Sequence, residues 1–451
     1  MSKINPYENS ENDLVEQPTI KLFKKIGWKT YNAFNEFDSE VNPLKRNERS
    51  EVVLVSILRS SLGKLNPKIS KDSINDAIEE FTRDRSKMSP IKANQEIYKY
   101  LKNGMNIKAL SKDGESYEKV FFIDWNNIEN NDFLLVSQLW TTGDYYTRRP
   151  DLVGFVNGIP LILVELKSPT ETAKSGFDDN ITDYKDTIPQ LFFYNAFIII
   201  SNGSESKIGS TSAGWEHYSE WKKINSEGEK GIISLDTLIK GTCEKKRLLD
   251  LIENYILFTN IEGKNVKILG KNHQYLGVGN ALQALEDIEN NKGRMGVFWH
   301  TQGSGKSVSM MFLSQKILRK KKGDWTFIIV TDRKELDEQI YKNFLDAGIV
   351  TEKEAHAETC KDLQKLLNEN HRFVFTLIHK FRDETKSISK RENVIVIVDE
   401  AHRTQYDSLA LNMRSTLPKA SFIAFTGTPL ISTEEKTKEV FGDYVSKYDF
   451  K

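Results

Sequence analysis

The segment from Arg149 to Pro169 reads RPDLVGFVNGIPLILVELKSP. Alternation makes Leu161-Ile162-Leu163-Val164-Glu165-Leu166-Lys167 a strand, with Leu161, Leu163, Glu165 and Lys167 on one face and Ile162, Val164 and Leu166 on the other. A strand this apolar that ends in an acid and a base needs a reason. Charges at the margin of a core are costly unless they are paired, bind an ion or do chemistry. Asn157-Gly158 predicts a tight turn between this strand and Leu152 to Val156, and a hairpin of these lengths brings Asp151 beside Glu165. Two converging carboxylates suit Mg2+, which takes oxygen ligands and keeps several waters. Lys167 is then placed to orient or activate a water for attack on phosphorus, or to offset developing charge. The expected chemistry is metal-dependent phosphodiester hydrolysis by Asp151, Glu165 and Lys167. The competing reading of the same residues is a surface salt bridge at a strand end.

Composition bounds the rest. The chain has 451 residues, 38% hydrophobic and 28% charged, with a mean hydropathy of -0.50, which fits a soluble protein of two or three packed domains. Lys+Arg and Asp+Glu are both 64, so net charge gives no argument for nucleic acid and any basic surface must be local. Cys243 and Cys360 lie too far apart for a metal-site spacing or a disulfide framework, as expected of a reducing cytosol. The polar, acidic start MSKINPYENSENDLVEQP lacks the basic start and apolar run of a signal peptide, and no stretch approaches the roughly eighteen apolar residues of a membrane span. A cytoplasmic protein with no membrane role is expected.

The first part reads as a mixed α/β unit. Helices are expected over Asp13 to Lys25, Glu51 to Leu65, Ser73 to Met88 and Asn94 to Asn103, with Gly27, Pro67 and Pro90 as breaks. Short strands follow at Tyr117 to Ile123, Asn131 to Trp140, Leu152 to Val156, Pro160 to Lys167 and Ala196 to Ser201. Further helices are expected from Thr182 to Tyr194 and from Lys246 to Phe258, after which IEGKNVKILGKNHQY reads as a connector and places a domain boundary near residue 260. The pattern then changes to continuous apolar runs, MGVFWH, WTFIIVT, FVFTLI, VIVIVDE and ASFIAFTG, separated by helical stretches. Such runs imply a parallel sheet covered on both faces.

In GVFWHTQGSGKSVSMMF an apolar strand leads into a helix, the context that a phosphate-binding loop requires. Gly303 and Gly305 let the backbone N–H groups around Ser304 turn toward phosphates, Lys306 can reach the β- and γ-phosphates, and Ser307 can hold Mg2+. His300 stands where the strict pattern has its first glycine. In VIVIVDEAHRT a buried strand ends at Asp399, placed to coordinate Mg2+, with Glu400 beside it to orient or deprotonate an attacking water. The alternative, in which the glycines are mere turns and Asp399-Glu400 a solvated strand end, has to explain their order with FTGTP downstream.

Gly303 to Ser307, Asp399-Glu400-Ala401-His402 and Thr426-Gly427-Thr428-Pro429 resemble motifs I, II and III of superfamily 2 helicases and translocases. The resemblance implies ATP as the nucleotide, His402 as a further residue of its site, Thr426, Gly427 and Thr428 as the coupling motif, and Gln274 in NHQY as the glutamine that reads adenine. The P-D…E-L-K pattern resembles the PD-(D/E)xK nucleases, and QLFFY resembles the QxxxY element of their RecB-like branch. That implies Gln190 and Tyr194 on one helical face near the site, with Glu16 as an accessory acid. The fold class implied is α/β: a PD-(D/E)xK nuclease core, a mixed sheet flanked by helices, over residues 1–260, followed by a RecA-like parallel-sheet P-loop domain over 261–451.

A nuclease joined in this order to such a motor resembles the restriction and translocation subunit of Type I restriction-modification enzymes. LVEQPTIKLFKKIGW, EVVLVSILRSSLGKLNP, VELKSP, WHTQGSGKS and VDEAHRTQY carry that resemblance over nearly the whole chain. It implies ATP-driven pulling of double-stranded DNA, followed by cleavage, in a complex with methylation and specificity subunits and two restriction subunits. No second RecA-like domain follows TGTP, so a longer protein is expected, and weak ATP hydrolysis by these 451 residues alone. Two other readings remain open at this point: a RecB-like repair helicase-nuclease working from DNA ends, and a non-catalytic DNA-binding assembly subunit.

Overall fold

The computed structural model describes residues 11–38, 42–111, 114–351, 356–381, 387–400, 406–429 and 434–449. The chain divides into two compact units, Met1–Asn225 with Glu229–Lys271, and Asn272–Lys451 with the short piece Ser226–Gly228. The boundary expected near residue 260 falls inside a hairpin, Ile256–Ile261 with Lys264–Leu269, in the stretch read as a connector. The helix expected through Phe258 ends at Asn254, and the β-branched and aromatic run after it pairs as a strand.

The first unit is built on a six-stranded mixed sheet in the order β1 (Lys29–Asn32), β2 (Phe133–Ser137), β3 (Leu152–Val156), β4 (Ile159–Leu166), β5 (Phe197–Ser201) and β6 (Ser206–Gly209). β3 and β4 form the expected hairpin, with Leu152 opposite Val164. Its two-residue turn has both φ angles positive, 53° at Asn157 and 82° at Gly158, the geometry that Asn-Gly favours because it follows the strand twist. A side chain at Gly158 would come 2.7 Å from the Leu54 carbonyl, so the turn packs directly on the start of helix Val55–Leu65. β4 is buried along its whole length, and β5 runs parallel to it after a helical crossover. The expected helix Thr182 to Tyr194 is shorter: α1 (Thr182–Thr187) stops before Pro189, and Pro189–Phe193 is a 3-10 turn.

The second unit is a seven-stranded sheet whose paired strands all run parallel. Its order is β9 (His356–Ala357), β10 (Phe373–Leu377), β8 (Thr326–Thr331), β11 (Val394–Asp399), β12 (Ser421–Thr426), β7 (Arg294–His300) and β13 (Tyr444–Tyr448). The central strands are buried on both faces, as their unbroken apolar runs require. β7, β11 and β12 all end at the carboxyl edge of the sheet, the usual edge for a ligand crevice in open α/β folds. No helix among the described residues is long and apolar enough to cross a membrane.

Candidate functional site

The hairpin does bring Asp151 to Glu165. Asp151 immediately precedes β3, and its Oδ2 accepts a hydrogen bond from the Leu166 N–H at 2.8 Å. Glu165 is 1% exposed, and its Oε2 has no hydrogen-bond partner among the described residues. Lys167 Nζ lies 3.6 Å from Glu165 Oε1. Burial pushes the Asp151 carboxyl up to about 7, with Glu11 and Glu16 adding to the rise. Burial, and then the neighbouring Asp151, raise Glu165 well above the carboxylate range. Buried acids that repel one another, one with an orphaned oxygen, fit a divalent cation, whose charge would offset their desolvation.

Glu16 joins the same place from the far end of the chain. It ends a short, wide helical turn, Asn12–Glu16, and its Oε2 accepts from Gln138 Nε2 at 2.9 Å. Glu16, Asn32, Phe34, Gln138, Arg149 and Asp151 share the wall of a cleft of about 360 Å3. Burial raises the Glu16 carboxyl, while Gln138 and Arg149 oppose the rise.

The structure does not gather Gln190 and Tyr194 at this place. Because Pro189–Phe193 is a 3-10 turn, the two do not share an α-helical face. Gln190 Nε2 donates to the Thr142 carbonyl at 2.8 Å, and buried Tyr194 donates its hydroxyl to the Phe81 carbonyl at 3.1 Å. Tyr184 sits by the acids instead. Burial first, and then the charge of Glu165, push its phenol above its ordinary value. Asn180 Nδ2 donates to the Tyr184 hydroxyl at 3.4 Å, and the bidentate Arg148–Asp183 pair ties the same helix to the strand segment before Asp151. Gly176 completes the wall: a Cβ there would come 3.4 Å from Lys167 Cγ and 3.5 Å from Glu165 Cγ. The available signal was the i, i+4 spacing of Asn180 and Tyr184 in the crossover directly after VELKSP.

In the second unit, β7 runs into the loop Thr301 to Gly305, and helix α2 (Lys306–Lys320) follows. Gly303 and Gly305 have φ of 84° and 83°, the left-handed region that glycine enters at no steric cost. The loop therefore turns back on itself, and the first N–H groups of α2, which no helical turn can satisfy, are left for an anion. Ser304 Oγ is buried with no hydrogen-bond partner among the described residues, in keeping with a phosphate cradle. Lys306 Nζ lies 3.5 Å from Glu400 Oε1. Burial, and then Glu400, raise the Asp399 carboxyl to about 7. Glu400 has a φ of 53°, a conformation that costs a non-glycine residue about 1–3 kcal/mol and that gathers at working sites.

Gly427 admits the lysine closely, since a Cβ there would stand 2.9 Å from Lys306 Nζ. Thr426 Oγ1 accepts from the Thr428 N–H at 3.3 Å, which shapes the turn after β12. Ser307, half-buried, is the second residue of α2. Gln274 is not in an open connector but on the helix Asn272–Glu286, buried, with Nε2 donating to the Gly305 carbonyl at 3.1 Å. His300 ends β7 in the core, where burial lowers its pKa to about 2, so the imidazole is neutral beside Ser446 Oγ at 2.6 Å. His402 lies outside the described residues.

Comparison with known proteins matches residues 8–217 to the family described as Type I restriction enzyme R protein N terminus, and residues 273–451 to the SWI2/SNF2 ATPase family. The Type I restriction enzyme HindI endonuclease subunit of Haemophilus influenzae is 34% identical over 98% of this chain and 44% of its own length. The putative MjaIXP endonuclease subunit of Methanocaldococcus jannaschii is 32% identical over 97% of this chain and 44% of its own length. The chain thus spans less than half the length of these curated relatives. Among solved structures, the UvsW helicase from bacteriophage T4 matches 44% of this chain and 65% of its own at 15% identity, with a TM-score of 0.33.

Proposed function

We propose that this chain, which belongs by residues 8–217 to the Type I restriction enzyme R proteins and by residues 273–451 to the SWI2/SNF2 ATPases, forms the cutting and ATP-binding part of a restriction subunit. Its substrate in this reading is unmodified double-stranded DNA, pulled at the expense of ATP and then hydrolysed, in the cytoplasm, with methylation and specificity subunits as partners. Residues 1–260 act as the endonuclease domain and 261–451 as the first RecA-like domain. The observation that carries the reading is the meeting of Asp151 with buried Glu165 and Lys167 at one end of the β3–β4 hairpin.

Mg2+ would be held by Asp151 and Glu165 in one site and by Ser307 and Asp399 in the other, and supplies charge neutralisation at the reacting phosphate in each. Lys167 orients the attacking water or donates to a non-bridging phosphate oxygen, offsetting the charge that develops as the water oxygen bonds to phosphorus and the bridging P–O bond opens, with the proton lost by the water ending on the leaving oxygen. Glu16 and Tyr184 hold the geometry around this centre. In the second unit Lys306 binds the β- and γ-phosphates, and Glu400 orients the water that attacks the terminal phosphate. Thr426, Gly427 and Thr428 line the turn that meets Lys306, through which nucleotide state reaches the rest of the motor.

The test is cleavage of an unmethylated circular plasmid by the full-length protein with its methylation and specificity subunits, with Mg2+, with and without ATP. Glu165→Gln is expected to abolish cutting and spare ATP hydrolysis, whereas Lys306→Ala abolishes both. Digestion only from DNA ends, or ATP-dependent cutting that survives Lys306→Ala, would refute the proposal.

A further inference from the structure

Along the acidic cleft of the first unit lies a cluster of arginines and aromatic rings, of which Arg149 and Phe34 also line the cleft wall. Arg149 places its guanidinium carbon 5.1 Å from the ring centres of both Phe34 and Trp140. Arg49 stands 5.4 Å from the Trp140 ring and 5.7 Å from that of Phe37. Both arginines are exposed, and Phe34 and Phe37 remain 47% and 39% exposed.

The platform is held rigidly from below. Arg46 is buried and paired with buried Glu36, and it also donates to the Trp140 and Glu51 carbonyls at 3.0 Å each. Trp140 Nε1 donates to the Phe34 carbonyl at 3.2 Å, and the Thr142 N–H to the Arg49 carbonyl at 3.0 Å. Three separate stretches of chain are thus locked together before any ligand arrives, the condition for a site that loses little entropy on binding.

A guanidinium lying over a ring keeps its N–H edge free, and that edge matches two phosphate oxygens. Neither Arg49 nor Arg149 forms a salt bridge among the described residues. The rings carry the arginines, so the patch presents charge and N–H donors more than faces for stacked bases. Phe34 and Arg149 also line the cleft that contains Asp151, so a strand gripped there continues toward the acids.

We infer that Arg49 and Arg149, carried on Trp140, Phe34 and Phe37, form a sequence-independent phosphate clamp that seats a DNA strand beside the Asp151–Glu165 centre. The inference rests on the nuclease reading and names the contact that this centre alone cannot make, since its own acids repel the DNA backbone.

The experiment measures binding of a short fluorescent DNA duplex to the chain across a salt series, with Glu165→Gln as the parent so that nothing is cut. Adding Arg49→Ala and Arg149→Ala together should weaken binding about tenfold and reduce the slope of log affinity against log salt by roughly 1.8, at about 0.9 per lost phosphate contact. Lysine at both positions should restore the slope but only part of the affinity, because it keeps the charge and loses the stacked fork. Unchanged affinity and slope in the double alanine variant, with the full-length wild-type complex still cutting plasmid, would overturn the clamp and leave the nuclease reading intact. Normal DNA binding with lost association to partner subunits would overturn it too, in favour of a protein-docking face. A parent that binds no duplex at all would overturn the clamp, and loss of cutting by the full-length complex would overturn the nuclease reading with it.

Discussion

Lys267 offers a sharp test of the folded structure, because it is a buried lysine on the strand Lys264–Leu269 with no acid to pair with in its hydrogen bonds. Its Nζ donates to Asn94 Oδ1 at 2.9 Å and to the Asn195 carbonyl at 2.6 Å. Asn195 is tied in turn to β5 and the start of β4, so the lysine braces the strand that carries Glu165. Burial lowers its pKa to about 7. An unfolded lysine titrates near 10.4, so between about pH 7 and 10.4 the unfolded chain holds the extra proton and stability rises with pH. From pH 6.5 to 8.5 the lysine term alone should add about 2 kcal/mol.

Other buried groups titrate in the same range, and Asp151 contributes with opposite sign, so the quantity to measure is the difference between wild type and Lys267→Met at each pH. Urea unfolding followed by tryptophan fluorescence suits this, since Trp28, Trp125, Trp140, Trp215 and Trp221 all lie in the first unit. The gap between wild type and Lys267→Met should grow by about 2 kcal/mol in favour of wild type from pH 6.5 to 8.5. A gap that does not move with pH would mean that Lys267 keeps its proton, and the account of its burial would be wrong.

Gly427→Ala puts a Cβ 2.9 Å from Lys306 Nζ, a contact with the end of a flexible side chain, so the fold should survive while the amine is displaced. Affinity for a fluorescent ATP analogue should fall about tenfold, the loss of one charge-assisted hydrogen bond, and an unchanged Kd would refute the placement of that lysine. Tyr184→Phe removes the hydroxyl beside Glu165, and the Mg2+ concentration needed for half-maximal cutting by the full-length complex should rise about tenfold with KM for DNA unchanged. A change in KM alone would assign Tyr184 to DNA binding instead.

Much of the fold could be read from local pattern. The unbroken runs VIVIVDE and ASFIAFTG become neighbouring parallel strands, and Asn157-Gly158 makes its turn, because both signals depend on residues a few positions apart. The misreadings lie where short-range pattern is ambiguous. YILF continues a helical apolar stripe in sequence, yet Ile256, Leu257 and Phe258 pair as a strand with Leu269, Ile268 and Lys267 across a Glu262-Gly263 turn. QLFFY has helical spacing, yet the proline before it tightens the backbone into a 3-10 turn and aims Tyr194 into the core at Phe81.

Sequence alone determined the chemistry available to this protein: two carboxylates and a lysine at the end of a hairpin, a glycine-rich loop before Lys306-Ser307, and an acid pair after a buried strand. Each is set by side-chain type and by spacings that the backbone period enforces. Only the tertiary structure decided the company these residues keep. Glu16 meets Asp151 across more than a hundred positions, Lys267 reaches Asn94 and Asn195, and Arg46 fastens Glu36 and Trp140 into one platform. Those meetings rest on packing and on the cost of leaving buried charges unsatisfied, which act through space and leave no period in the chain.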